Sequence, residues 1–113
     1  MHAERALRLS PFDVLAWEAP YALSIVAVHE GRYAEAASWS AKSVQANPAS
    51  PSMIIAHACG LALAGRIDEG KAAAKQALQI SPGLRARFMS EIGMAPSIAA
   101  KFAAGARLLG LPE

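Results

Sequence analysis

Three histidines, one cysteine and nine carboxylates are the side chains of this 113-residue chain that could move a proton, attack a carbon or hold a metal. Their spacing argues against each. His29 and Glu30 are sequence neighbours, and neighbours on a helix do not face each other, so no acid–base pair forms there. His29 also stands just before a helix-ending Gly, where an imidazole meets the last carbonyls or solvent. His57 and Cys59 are two residues apart and diverge on a helix, whereas a shared zinc would call for ligands at i and i+4. Cys59 therefore reads as a small buried hydrophobe rather than a nucleophile. Asp68-Glu69 resembles a carboxylate dyad but is better explained as the acidic first turn of a helix. Gly31 and Gly65 belong to neither GxxxxGK nor GxGxxG, so no phosphate loop is present. No cofactor and no metal site is expected. The sequence does not point to an enzyme.

What these residues sit on is an internal repeat. Gly31, Arg32, Glu35, Val44 and Pro48 recur as Gly65, Arg66, Glu69, Leu78 and Pro82, each 34 residues later. Gly31 and Gly65 suit the left-handed residue that closes a helix, because a side chain there is strained. A second helix follows, with carboxylates near its positive end and small residues on one face: Ala36, Ala37, Ser40, Ala41, then Ala72, Ala73, Ala74, Ala77. Small faces predict close antiparallel packing. Pro48 and Pro82 end the units, since proline has no N–H to continue a helix.

Further out, Ala6-Leu7-Arg8-Leu9-Ser10-Pro11 matches Ala77-Leu78-Gln79-Ile80-Ser81-Pro82 at an offset of 71. Residues 1 to 11 are therefore expected to be the tail of an earlier repeat. The next unit, 12 to 48, is three residues overlong, and the excess falls in a first helix from about Phe12 to Glu30. Pro20 should kink that helix or divide it. The unit 51 to 82 follows. In 83 to 113, a short helix from Leu84 to Ile92, a stop at Gly93 and a last helix opened by Pro96 predict a C-terminal cap. Ile98, Phe102, Gly105 and Leu109 share one stripe of that last helix, flanked by Lys101 and Arg107. Trp17 and Trp39 are expected in the core.

Composition agrees with helix on helix. The chain is 54% hydrophobic but only 6% aromatic, because 27 of its residues are Ala, the best helix former. A net charge of +2 is too small to imply nucleic acid. The more basic half from Lys71 onward reads as a solvated face. One cysteine fits a reducing, cytoplasmic setting. The charged start lacks the apolar run of a signal peptide, and Met53 to Gly65 falls short of the roughly 20 residues that span a bilayer.

The pattern of Gly31, Tyr33, Ala36 and Pro48, followed by Gly65, Ala77, Leu78 and Pro82, resembles the tetratricopeptide repeat family. That resemblance implies an all-α superhelix of antiparallel helix pairs, here about two full repeats, a partial N-terminal one and C-terminal capping helices. The sequence departs from the family at Gly70, where Ala is usual, and at Ala58, where Gly is common. A narrower likeness rests on Arg5-Ala6-Leu7-Arg8-Leu9-Ser10-Pro11-Phe12-Asp13, the long helix, Gly31-Arg32-Tyr33, and the ending Leu108-Leu109-Gly110-Leu111-Pro112-Glu113. These residues are similar to the C-terminal repeat region of bacterial class III adenylate cyclases. Winged-helix transcriptional regulators with C-terminal repeats carry a similar region.

The family resemblance implies a concave groove lined by first helices. Its positions here are Glu18, Tyr21, Ile25 and His29, then Ser52, Ile55, Cys59 and Leu63. The subclass that grips carboxylate C-termini needs Lys and Asn at such positions, and this chain has Tyr21, Ile25, Ile55 and Cys59. The expected partner is thus a protein or peptide, as an amphipathic helix or an apolar peptide, from another protein or from the same polypeptide, with homo-oligomers a further expectation. Alternatively, Ile25, Ile55 and Leu63 simply pack against neighbouring helices. The expected function is a non-catalytic interaction or regulatory module of a signalling protein, with a transcription regulator's sensory part as the alternative. An enzymatic role would require Cys59 or His57 to complete a composite site with another domain. If the groove is open, Ile25→Asp or Ile55→Asp should weaken partner capture and leave helicity intact.

Overall fold

Both tight turns that the glycine spacing predicts are built the same way. Gly31 and Gly65 have φ of 79° and 86°, in the left-handed region. Around the first, Arg32 N–H bonds the Ala27 carbonyl at 2.8 Å and Gly31 N–H bonds Val28 at 3.1 Å. Around the second, Arg66 N–H reaches Leu61 at 2.8 Å and Gly65 N–H reaches Ala62 at 3.0 Å. This paired closure satisfies the last carbonyls of one helix while the chain reverses into the next.

The structure, a computed structural model, describes residues 14–86, 88–91 and 93–112, with the side chains of residues 14–17 and of Ser90 outside that description. The expected repeat tail at 1–11, the start of the first helix at Phe12, the side chain of Trp17, and Ile92 therefore lie outside the described residues. Within them the fold is all-helical, with no strand. The helices are α1 (Val14–His29), α2 (Tyr33–Ala46), α3 (Pro51–Leu63), α4 (Ile67–Ile80), the short α5 (Phe88–Glu91) and α6 (Pro96–Leu108). None is long and apolar enough to cross a membrane.

The starts of the helices follow from local chemistry. α3 opens on Ser50, whose hydroxyl accepts from Met53 N–H at 3.4 Å, with Pro51 in the first turn. α2 and α4 have arginine at the cap position and no side-chain cap. Arg66 instead grips Glu69 through two bonds of 3.0 and 2.7 Å, and Arg32 donates once to Glu35 and twice to Glu30. α1 runs unbroken through Pro20, so of the two expected outcomes, a kink or a division, the division does not occur. Proline there forfeits one hydrogen bond, and packing of its buried ring offsets that loss.

α1 and α2 form one hairpin, α3 and α4 a second, and α2 packs on α3 to join them. α3 is the centre of the molecule: Met53, Ile54, Ile55, Ala56, Ala58, Cys59, Gly60, Leu61 and Ala62 are all buried. The radius of gyration, 13.8 Å, is close to the roughly 13 Å of a compact chain of this length, so the hairpins do not extend into an open spiral.

Candidate functional site

α6 decides the fate of the candidate groove. It packs along α3 and also touches α1, the two helices that carry all eight candidate groove residues. On α3, Ile55 and Cys59 are fully buried, with Ser52 and Leu63 half-buried. On α1, Tyr21 and Ile25 are half-buried, while Glu18 and His29 are exposed. Ile55, Cys59, Phe102 and Ala106 belong to one buried cluster, and Tyr21, Ile25, Leu63, Ile98 and Leu109 pack against it. The apolar groove residues thus share a core with α6 of the same chain.

Close approach makes this possible. A Cβ placed on Gly105 would stand 2.8 Å from the Cys59 carbonyl oxygen and 3.0 Å from its Cβ, so only glycine lets α6 lie this near to α3. The ends are pinned by polar contacts. Lys101 Nζ donates to the His29 carbonyl at 2.7 Å, giving α1 a cationic partner at its negative end. His29 itself offers its backbone carbonyl there, and the residue is exposed to solvent, one of the two surroundings expected for it. Ala86 N–H donates to the Pro112 carbonyl at 2.7 Å. That bond takes Ala86 out of a helical ladder, and Leu84 to Ala86 are not helical, so the expected start of the short helix at Leu84 is not met; α5 is described over Phe88–Glu91. Phe88 and Phe102 meet edge to face at 6.3 Å between ring centres, fastening α5 to α6.

The two departures from the family pattern are the two sides of one contact. A Cβ on Gly70 would lie 2.9 Å from the Ala58 carbonyl oxygen and 2.9 Å from Leu109 Cδ2. The α3 backbone comes so near to α4 here that position 70 has no room for a Cβ, and the space also admits Leu109 from the C-terminal end of α6.

Chemically, the residues singled out are quiet. Cys59 is buried, and desolvation pushes its thiol up to about 12, so the thiolate nucleophile is suppressed at neutral pH. His57 Nδ1 lies 2.6 Å from Ser40 Oγ, across the α2–α3 joint. Burial, assisted by the Arg66 charge, lowers its pKa and holds the ring neutral. Tyr21 reaches toward Met89 Sδ at 4.0 Å, and burial raises its pKa. Among the described residues no group of three or more His, Cys, Asp or Glu is placed to hold a metal ion. Trp39 is half-exposed, with Lys42 Nζ 4.7 Å from its ring centre, a cation–π contact in place of the expected core position.

Two sequence expectations change. Ile55 is fully buried, so Ile55→Asp would put a charge in the core and cannot report on an open groove. The return of α6 over α3 was not read from the residues, although Gly105 on the apolar stripe with Ile98, Phe102 and Leu109 is the signal that could have found it. Compared with protein-family models, curated proteins and solved structures, the chain matches none.

Proposed function

We propose that this chain is a non-catalytic protein-interaction module of tetratricopeptide type, whose first-helix groove takes an apolar helix with a small-residue face. In the closed form the helix it takes is its own α6. The observation that carries this reading is the seat of Gly105 against the Cys59 backbone, with Ile55 and Cys59 covered by α6 and Tyr21 and Ile25 at its edge. Such a face offers close backbone approach and little polar recognition, the requirement for helix-in-groove binding. A competing partner helix would have to present glycine or alanine where α6 presents Gly105 and Ala106. The buried thiol of Cys59 and the neutral, hydrogen-bonded His57 favour binding over catalysis. The likeness to the repeat regions of class III adenylate cyclases supports a regulatory use, in which the groove couples a signalling domain to a partner segment. The winged-helix regulators are the alternative setting.

Cys59 supplies its own reporter. Gly105→Leu should lift α6 off α3 and raise the rate at which a small thiol reagent labels Cys59 by at least about tenfold, the equivalent of 1.4 kcal/mol. Far-UV circular dichroism should stay helical. Adding a synthetic peptide of residues 94–112 to that variant should restore protection. If Cys59 remains as unreactive in Gly105→Leu as in the parent, or if the peptide gives no protection, the groove reading fails.

A further inference from the structure

The joint between α2 and α3 is built from pairs that recur, separated, at the two ends of the molecule. A Cβ on Gly60 would stand 3.8 Å from the Ala37 backbone, Ser40 Oγ is 2.6 Å from His57 Nδ1, and Ser43 Oγ donates to Met53 Sδ at 3.1 Å. Moved back by the 34-residue offset, the α3 members Met53, His57 and Gly60 become Ala19, Leu23 and Val26. All three are exposed, Leu23 at 43% and Val26 at 47%. Pro20, Ser24, Ala27 and Val28 of the same helix are buried. α1 therefore leaves bare the positions by which α3 receives α2, with Ala, Leu and Val in place of Met, His and Gly.

Moved forward by the same offset, the α2 members Ala37, Ser40 and Ser43 become Lys71, Ala74 and Ala77 of α4. Their flanking neighbours Ala41, Val44 and Gln45 become Lys75, Leu78 and Gln79. At the α2–α3 joint, Ala41, Val44 and Gln45 line a cleft of about 450 Å³ together with His57 and Leu61. At the far end, Lys75, Leu78 and Gln79, with Lys71 and Ala74, line a cleft of about 560 Å³ whose other wall is Leu109 to Pro112. What the second cleft lacks is a helix contributing the counterpart of His57, which is the exposed Leu23. Charge points the same way. Lys71 and Lys75 are exposed on the rim, and the α1 stripe is flanked by exposed Glu18 and Glu30, the latter also holding Arg32.

We propose that the chain associates head to tail, the Ala19–Leu23–Val26 stripe of one copy seating in the Lys71–Lys75–Leu78 cleft of the next. The occupant of each surface is a second copy of this chain. This contact is separate from the groove that α6 fills. The two surfaces differ, so the interface is heterologous and leaves one free end of each kind on every open assembly. Growth passes beyond a dimer, into a filament or, where the rotation between copies closes, a ring.

Sedimentation velocity over a wide loading range tests it, because each end can be blocked at exposed positions. The weight-average mass of the parent chain should climb with concentration past twice the single-chain 11.8 kDa. Leu23→Asn, which removes apolar surface without adding a charge that the lysines would attract, should block one end, and the double variant Lys71→Glu/Lys75→Glu the other, each holding the mass at one chain. Val26→Gln, a second polar change in the same stripe, replaces Leu23→Asn if circular dichroism shows that variant unfolded. An equimolar mixture of the two blocked variants still has one good pair of surfaces, and should form a dimer and nothing larger. A parent that stays monomeric to millimolar concentration overturns the proposal, whether the stripe is then covered from within the chain or reserved for another protein. So does a closed dimer, or an association that the charge reversals leave unchanged.

Discussion

α1 and α3 are both first helices of a hairpin, both apolar around most of their circumference, and both closed by the same glycine turn. α3 is covered by α2, α4 and α6 and exposes almost nothing. α1 is covered by α2 and touched by α6, and leaves Leu23 and Val26 bare. The difference lies in neighbours rather than composition. A helix that is hydrophobic all round belongs in an interior, and only one of these two has been given one. The apolar surface of α1 is accordingly the part of the molecule whose sequence asks for a contact that the described residues do not supply.

The largest expected contrast comes from one charge placed on each helix. Ile55→Asp at the centre of α3 strands a carboxylate in a fully buried site and should cost about 4 kcal/mol or more, enough to abolish the cooperative urea transition. If the transition survives with its midpoint little changed, α6 does not cover α3. Next comes Gly70→Val, which forces a Cβ against the Ala58 carbonyl and should lower stability by about 1–3 kcal/mol. A midpoint equal to the parent's would mean that α3, α4 and Leu109 are not in that contact. Gly60→Ala is the opposite case. Its Cβ meets only ordinary contact with Ala37, and removing a mid-helix glycine should stabilise by about 0.5–1 kcal/mol, read as a higher urea midpoint.

A smaller effect is expected from pH. The pKa of His57 is depressed in the folded state, first by burial and then by Arg66. The unfolded chain therefore takes up a proton before the folded one does. The contribution of neutral His57 is fully present above its unfolded value of about 6.5 and is lost as pH falls toward the folded value. Stability should decline through that window in the parent, and His57→Gln should flatten the decline. An identical slope in both would assign the effect to other groups. Smallest of all is Leu23→Asp in dilute, monomeric protein, expected within about 0.5 kcal/mol of the parent because the site is already half solvated. A large loss of stability there would show that α1 is not the bare helix of the pair.

Local structure was the legible part. The glycines at 31 and 65, the prolines at 48, 82 and 96, and the small faces of α2 and α4 each act within one or two turns of chain, so their spacing alone placed the hairpins. The candidate groove residues were legible as a set on α1 and α3, but whether they face solvent was not. The sequence by itself determined an all-helical chain with a 34-residue rhythm, because hydrogen-bond closure and side-chain size operate over neighbours in sequence. Only the tertiary structure decided that α6 folds back over α3, that Gly70 and Gly105 are the openings which admit it, and that α1 is left with an uncovered face. Those outcomes depend on whether two backbones tens of residues apart can approach within a methyl group's breadth, a distance that no periodicity encodes.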